Sequence, residues 1–61
     1  MDDKLTGYYK HYKGGIYEVC GWALLESTKQ EMVIYRPADN STDTWIRPWE
    51  EFKTKFEYIN D

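Results

Sequence analysis

The stretch Thr44-Trp45-Ile46-Arg47-Pro48-Trp49-Glu50-Glu51-Phe52 decides how this chain is expected to fold. Its first four residues place side chains alternately on the two sides of the backbone and predict a short, half-buried strand. Pro48 ends that strand because it lacks a backbone N–H, and its fixed φ suits the start of a helical turn. The next residues fit one turn of 3₁₀ or α-helix, with Trp49 and Phe52 on the same side. We therefore expect a strand, a short helical turn and a final strand.

The rest of the chain contains four further segments with the composition of strands. They share aromatic or β-branched side chains, end at turn residues, and cover residues 7–12, 16–25, 31–36 and 53–59. Between the first two, Gly14 and Gly15 can adopt the positive φ that a tight hairpin turn requires. Gly21 interrupts the longest segment and predicts a bulge or bend there. Polar turns are expected at residues 26–30 and 38–43.

Five short strands in a chain of 61 residues predict a single all-β domain. A chain this small fills one shared core more easily than the two layers of a sandwich. We therefore expect a five-stranded antiparallel SH3-like barrel with one 3₁₀ turn before the last strand. Residues 1–6 are expected to be disordered. In an alternative fold, residues 49–58 form a helix, because Phe52 and Phe56 have the helical i, i+4 spacing.

Composition limits the classes of partner. Three Trp, six Tyr and two Phe, each able to bury on the order of 150–250 Å², supply most of the predicted core. The net charge of −3 argues against nonspecific nucleic-acid binding, which depends on a surplus of Lys and Arg. Lys10, His11 and Lys13 form a local basic cluster, which we interpret as the solvated end of a hairpin.

Cysteine usage and the N-terminal sequence predict a cytoplasmic location. Cys20 is the single cysteine, so the chain can form neither an internal disulfide nor a thiolate metal site by itself. Asp2 and Asp3 follow Met1 without an apolar run, so we expect no signal peptide. No segment approaches the roughly 20 apolar residues that a membrane helix needs, and we expect no membrane contact.

Catalytic and metal-binding patterns are weak, and we predict a protein that is not an enzyme and has no cofactor or metal. His11 is the only histidine, and Cys20 lies among apolar neighbours on a strand, where a thiol is usually inert. One histidine with scattered carboxylates is too few for a metal site. The sequence Lys13-Gly14-Gly15 is too short for a phosphate-binding loop and precedes a strand.

Ligand recognition is the favoured function. Tyr9 and His11 lie two residues apart on one strand, as Trp45 and Arg47 do on another, so each pair points to one side of its strand. If Ile46 faces the core, Trp45 and Arg47 face outward or line a groove, where an aromatic residue of the neighbouring strand joins them. The predicted ligand-binding residues are Tyr9, His11, Tyr35, Trp45 and Arg47.

An aromatic surface that carries one guanidinium suits stacking together with a bidentate polar contact. The predicted ligand is a small anion, a peptide carboxylate or an exposed base. In a competing interpretation, Trp45 caps the core and Arg47 pairs with Glu31, Glu50 or Glu51. The two interpretations are compatible, since the wall of a pocket is often also part of the packing.

A structural or self-association role is the second hypothesis, and it depends on Trp22 and Leu24. If the odd-numbered face of their strand forms the core, these two side chains form an exposed apolar patch. Such a patch predicts a homodimer or a protein partner that contacts Trp22. If the strand bulges at Gly21, the same two side chains turn inward instead.

The motifs along the chain resemble a bacterial family known as domain of unknown function 1653. The family pattern reads G-x-Y-x-H-Y-K-G, then Y-x-V…A, V-x-Y and W-x-R-P…F. The matching positions are Gly7, Tyr9, His11, Tyr12, Lys13, Gly14, Tyr17, Val19, Ala23, Val33, Tyr35, Trp45, Arg47, Pro48 and Phe52. The resemblance implies a small compact domain, but it implies no mechanism, because the family has no established activity.

Two departures from that family pattern bear on function. The family usually reads H-S-E-T where this chain has Leu25-Glu26-Ser27-Thr28. If the family histidine at that turn matters, we expect this chain to have lost the corresponding function. A later family segment, a glycine turn followed by R-F, has no counterpart before Asp61.

Overall fold

The computed structural model of the protein describes residues 5–39 and 42–60. Most of the predicted disordered segment, residues 1–4, lies outside the described residues, as do Asn40 and Ser41 of the predicted turn at 38–43. Within these residues, five strands and one helix follow each other along the chain. They are β1 (Gly7–His11), β2 (Ile16–Leu25), β3 (Gln30–Pro37), β4 (Trp45–Pro48), α1 (Trp49–Lys55) and β5 (Phe56–Asn60).

The five strands form one antiparallel sheet in the order β4-β3-β2-β1-β5. This arrangement confirms the predicted all-β class and the five antiparallel strands. The predicted closure into a barrel is not confirmed, because β4 and β5 are the two edges of the sheet. Helix α1 connects these two edge strands and packs near both of them.

The turn between β1 and β2 confirms the role predicted for the two glycines. Gly14 and Gly15 have φ angles of +103° and +93°, which side chains with a Cβ rarely adopt. The backbone N–H of His11 donates to the Gly15 carbonyl at 3.0 Å, and that of Gly14 donates to the His11 carbonyl at 2.8 Å. The glycines therefore allow β2 to return directly alongside β1.

A bulge in β2 lies next to the glycine that predicted it. Val19 pairs with Tyr35, and Gly21 pairs with Ile34, so Cys20 is the extra residue between two paired positions. An extra residue reverses the alternation of side chains along the strand. As a result, Val19 before the bulge and Trp22 after it both face the core.

Helix α1 is longer than the single turn predicted at this position. It is an α-helix of seven residues rather than a 3₁₀ turn, with acidic residues in its first turn and basic residues in its last. It ends where Phe56 takes an extended conformation with φ −124° and ψ 143°. The last strand therefore begins at Phe56 instead of Lys53, and the alternative helix as far as Tyr58 is wrong, because His11 of β1 pairs with Phe56.

The core lies between one face of the sheet and helix α1. Its buried members are Tyr9, Val19, Val33, Tyr35, Trp49, Phe52 and Phe56. The rings of Phe52 and Phe56 stack with their centroids 4.0 Å apart, and Phe52 also meets Tyr9 and Tyr35 edge to face. Each such aromatic pair is worth about 0.5–1.5 kcal/mol beyond its buried area, so these contacts matter in so small a core.

Candidate functional site

One end of the sheet brings together the last residues of β1 and β3 and the first residues of β2, β4 and β5. Because neighbouring strands are antiparallel, these termini lie side by side. Their core-facing side chains are mostly aromatic and include a guanidinium and an imidazole. We call this group the aromatic end, and it consists of His11, Tyr17, Tyr35, Trp45, Arg47 and Phe56.

Phe56 forms the floor of the aromatic end. Its ring centroid lies 4.7 Å from that of His11, 5.3 Å from that of Tyr17 and 5.5 Å from that of Tyr35. The Arg47 guanidinium carbon is 5.9 Å from the same ring. Groups from all five strands thus converge around one buried phenyl ring, with β4 represented by Arg47.

Arg47 is held in place by the tyrosine hydroxyl beneath it. Its Nε donates a hydrogen bond to the Tyr35 hydroxyl at 3.1 Å, and this bond raises the pKa of Arg47. A guanidinium nitrogen also lies 3.7 Å from a carboxylate oxygen of Glu51, which is longer than a charge-assisted hydrogen bond. The Arg47 side chain keeps 29% of its surface exposed. A fixed, partly exposed cation therefore borders the aromatic rings.

Trp45 lies on the same side of β4 as Arg47, as predicted, but that side faces the core. Trp45 pairs directly with the buried Tyr35, and Ile46 pairs with Ile34 on the opposite face. Ile46 is 62% exposed, so the assumption that it faces inward is wrong. Trp45 is 51% exposed, because it lies at the end of the sheet beyond the buried core.

Tyr9 and Tyr35 occupy different positions from the open surface on which they were predicted to lie. Each is only 3% exposed. The Tyr9 hydroxyl donates to the Leu5 carbonyl at 2.6 Å, and burial raises the pKa of Tyr9. Tyr9 is thus a core residue, whereas Tyr35 reaches the site through the hydroxyl that contacts Arg47. The structure brings His11, Tyr35, Trp45 and Arg47 to one end of the sheet, and it places Tyr9 deeper.

His11 borders both the aromatic end and the surface beside it. Its Nδ1 accepts a hydrogen bond from the Lys13 backbone N–H at 3.0 Å, so the proton of the neutral ring lies on Nε2. The ring meets Phe56 edge to face and lies tilted against Tyr12, with a centroid distance of 4.7 Å in both cases. The histidine thus connects the buried rings to an exposed tyrosine.

Sequence reasoning missed two members of the aromatic end, Tyr17 and Phe56. Tyr17 contacts the rings of Tyr35 and Phe56. Its position on the odd-numbered face of β2, two residues before Val19, was an available signal. Phe56 had no comparable signal, because its environment depends on where α1 ends and β5 begins.

Cys20 and His11 lie far from each other in the sheet. The His11 backbone is bonded to Gly15, and Cys20 lies five residues further along β2, which is roughly 16 Å at about 3.3 Å per residue. The Cys20 thiol is exposed and lies 3.8 Å from the Glu18 carbonyl oxygen. Within residues 5–39 and 42–60, no three His, Cys, Asp or Glu side chains cluster closely enough to hold a metal.

Trp22 lies on the inner side of the sheet, as the bulge requires. Its ring meets the buried Trp49 edge to face, with the centroids 4.9 Å apart. Trp22 is therefore lost from the patch predicted for Trp22 and Leu24, whereas Leu24 and the next residue, Leu25, are each exposed near the end of β2. In the part of the chain that the structure describes, no helix is long and apolar enough to cross a membrane.

Comparison with known proteins gives one family match. A family model described as "Protein of unknown function (DUF1653)" matches residues 7–60, from the start of β1 to the end of β5. No curated protein and no solved structure matched the chain. The match covers the whole aromatic end.

Proposed function

Since the chain belongs to the DUF1653 family, whose function is unknown, we propose from its own surface that it is a non-catalytic binding module. Its ligand carries a carboxylate next to an aromatic or apolar group. The carboxylate binds Arg47, and the apolar group lies against Trp45. This proposal keeps the small anions and peptide carboxylates of the predicted ligand class and gives less weight to an exposed base.

The position of Arg47 is the observation that carries the proposal. The guanidinium is fixed through Nε by a neutral hydroxyl, and its ion pair with Glu51, at 3.7 Å, compensates its charge only weakly. The planar fork of an arginine matches the two oxygens of a carboxylate. A fixed side chain also loses less conformational freedom on binding than a mobile one does. These features support an anion as the ligand of this end.

The neighbouring Glu51 supports a carboxylate in particular. Its own carboxylate lies 3.7 Å from Arg47, at a distance where a better-placed carboxylate can replace it. Glu51 is half exposed and can turn towards solvent when a ligand enters. Trp45, half exposed on the same side of β4, offers the indole surface beside the charge. In the proposed site, Arg47 supplies the cation and Trp45 supplies the aromatic wall.

A titration with benzoate, and with benzamide as its uncharged counterpart, tests the proposal. We expect benzoate to perturb the NMR signals of the Trp45 indole and of the Arg47 side chain, whereas benzamide leaves them unchanged. R47Q abolishes the perturbation, and E51Q strengthens binding because it removes the competing carboxylate. Benzoate binding to R47Q that equals binding to the wild type contradicts the proposal.

R36Q is the matched control for R47Q. Arg36 lies on the opposite face of the sheet and pairs with Glu18, so this variant loses the same charge away from the site. We expect R36Q to bind benzoate as the wild type does. Equal losses in R36Q and R47Q indicate a general charge effect instead of a site.

Self-association is an alternative proposal, supported by the exposed side chains of Leu24 and Leu25 at the end of β2. Sedimentation velocity over a wide concentration range tests it, and a constant monomer excludes it. We also propose a cytoplasmic location, which the exposed free thiol of Cys20 supports, because exposed free cysteines suit a reducing compartment.

A further inference from the structure

A second surface lies beside the aromatic end, where the β1–β2 turn meets the junction of α1 and β5. A cleft of about 480 Å³ opens there, and its lining includes Lys10, Tyr12 and Lys55. The Tyr12 backbone N–H donates to the Lys55 carbonyl at 3.0 Å, which fixes the two segments to each other. Residues that are more than forty positions apart in the sequence therefore form one surface.

Positive charge is concentrated on this surface although the whole chain is acidic. Four of the eight Lys and Arg residues lie here, namely Lys10, Lys13, Lys53 and Lys55. Together with the neighbouring Glu50 and Glu57, these four lysines carry a net charge of +2. Because the net charge of the whole chain is −3, the remaining residues carry −5. The cluster that we interpreted as the solvated end of a hairpin is thus half of a larger cationic surface.

Two of the four lysines have acidic neighbours, and two lie against an aromatic ring. Lys53 forms an ion pair with Glu50 at 3.2 Å, and Lys10 pairs across the strands with Glu57. The ammonium groups of Lys13 and Lys55 lie 5.6 Å and 6.0 Å from the centre of the Tyr12 ring. Neither forms an ion pair with another residue of the described ranges. Two cations without a carboxylate partner among residues 5–39 and 42–60 therefore converge on one ring.

We propose that Tyr12, Lys13 and Lys55 bind the phosphate monoester group of a small phosphorylated molecule. Such a group carries a charge of about −1.5 to −2 at pH 7 and three strong acceptor oxygens. Two ammonium groups match that charge, and each forms charge-assisted hydrogen bonds. Tyr12, which is 65% exposed, offers its hydroxyl as a further donor.

The geometry favours a phosphate monoester over the other anions that a cationic surface attracts. A single carboxylate would leave one of the two ammonium charges unmatched. A polynucleotide spreads its charge over a longer path, and here it would meet the negative potential of the remaining chain. His11, whose ring packs against Tyr12, keeps an N–H on Nε2 that adds a neutral donor near the same place.

Calorimetric titration of the whole chain with phenyl phosphate tests this site, with inorganic phosphate and benzyl alcohol separating the charge from the ring. We expect phenyl phosphate and inorganic phosphate to bind, and benzyl alcohol not to. K13Q and K55Q each weaken binding by about tenfold or more, as the loss of a hydrogen bond to a charged group does. The double variant weakens it further.

Two controls separate this site from a general charge effect and from the site at Arg47. K29Q removes a lysine in the β2–β3 turn and is expected to change phenyl phosphate affinity by less than about twofold, because screening limits distant charges. R47Q retains phenyl phosphate binding, so the two proposals fail independently. Thermal unfolding of every variant verifies that it is folded.

Three outcomes overturn the proposal. The first is wild-type affinity for phenyl phosphate in folded K13Q/K55Q. The second is chemical-shift changes at Arg47 instead of Tyr12. The third is binding of a ten-residue oligothymidylate that is tighter than phenyl phosphate, falls steeply with salt and is lost in K13Q/K55Q, because it identifies the surface as a site for single-stranded nucleic acid.

Discussion

Two arginines on opposite faces of the sheet have different partners. On the outer face, Arg36 places Nε and a terminal nitrogen 3.2 Å and 3.0 Å from one carboxylate oxygen of Glu18, which raises the pKa of Arg36. On the core face, Arg47 is held mainly by the neutral hydroxyl of Tyr35, above the Phe56 ring. The charge of Arg36 is therefore compensated by a hydrogen-bonded carboxylate, whereas Arg47 is held by a hydroxyl and has the longer ion pair with Glu51, at 3.7 Å.

The comparison shows that the residue type alone does not identify a binding site. Both arginines lie near a carboxylate, but the Arg47 side chain is 29% exposed and that of Arg36 is 49% exposed. A fixed guanidinium over aromatic rings loses little freedom when it binds a ligand. An exposed ion pair contributes little to stability and is screened by salt. Substitutions on the core face and on the outer face of the sheet test this difference between the two arginines.

Phe56→Ala removes the floor beneath Arg47 and has the largest expected effect. Replacing a buried phenylalanine by alanine costs about 3–5 kcal/mol, a large part of the stability of a small domain. We expect much of the protein to be unfolded in this variant, as urea titration followed by circular dichroism measures. Ile46→Ala on the outer face is the control, and we expect it to change the unfolding free energy by less than about 0.5 kcal/mol. Similar losses in both variants contradict the assignment of the two faces.

Tyr35→Phe removes only the hydroxyl that holds Arg47. We expect the unfolding free energy to fall by about 1 kcal/mol, the usual worth of one such hydrogen bond. Benzoate affinity also falls, because the guanidinium is no longer fixed. Chemical denaturation and benzoate titration measure the two effects. Unchanged affinity in a folded Tyr35→Phe protein shows that the hydroxyl does not position Arg47 for binding.

Tyr9, on the core face, makes the stability of the protein depend on pH in alkaline solution. Burial raises the pKa of Tyr9, so the folded state keeps its proton while the unfolded state loses it near pH 10. Stability from this group is complete below pH 10 and is lost as pH rises through the higher folded value. Tyr9→Phe therefore flattens the alkaline decline of the unfolding free energy. A pH dependence in Tyr9→Phe that equals that of the wild type excludes Tyr9 as the source.

Arg36→Gln has the smallest expected effect. Its ion pair with Glu18 is exposed, so the loss of stability is expected to be smaller than that in Tyr35→Phe. In 1 M salt we expect most of the difference in stability between the wild type and Arg36→Gln to disappear, because the ionic screening length falls to about 3 Å. Thermal unfolding of the wild type and of Arg36→Gln at low and high salt measures this difference in stability. A loss larger than that in Tyr35→Phe, at either salt concentration, reverses the order proposed for the two faces.

Most of the fold could be predicted from local sequence features, and the largest errors were at one junction. Gly14–Gly15, Gly21 and Pro48 each mark a turn, bulge or helix start that local backbone chemistry requires. The end of α1 was misplaced by three residues, because residues 53–55 can continue a helix or begin a strand. Pairing of Phe56 with β1 decides between them, and that pairing is a long-range contact.

The candidate site was only partly predictable for a related reason. Alternation along a strand shows that Trp45 and Arg47 share a side, but it does not reveal which side faces the core. The sequence likewise shows that Tyr9 and His11 share a side without revealing that one is buried and the other borders the surface. The strand register decides which side of each strand faces the core. Trp45, for example, lies opposite the buried Tyr35.

Local sequence was enough to predict five strands, most of their turns, a helical segment after Pro48 and the aromatic nature of the core. These features depend on backbone restrictions and side-chain types within a few residues. The position of Arg47 over Phe56 and the meeting of Lys13 and Lys55 at Tyr12 depend instead on how the chain folds. Each of these contacts joins separate elements of the chain, and their geometry is set by sheet register and by the place where α1 ends.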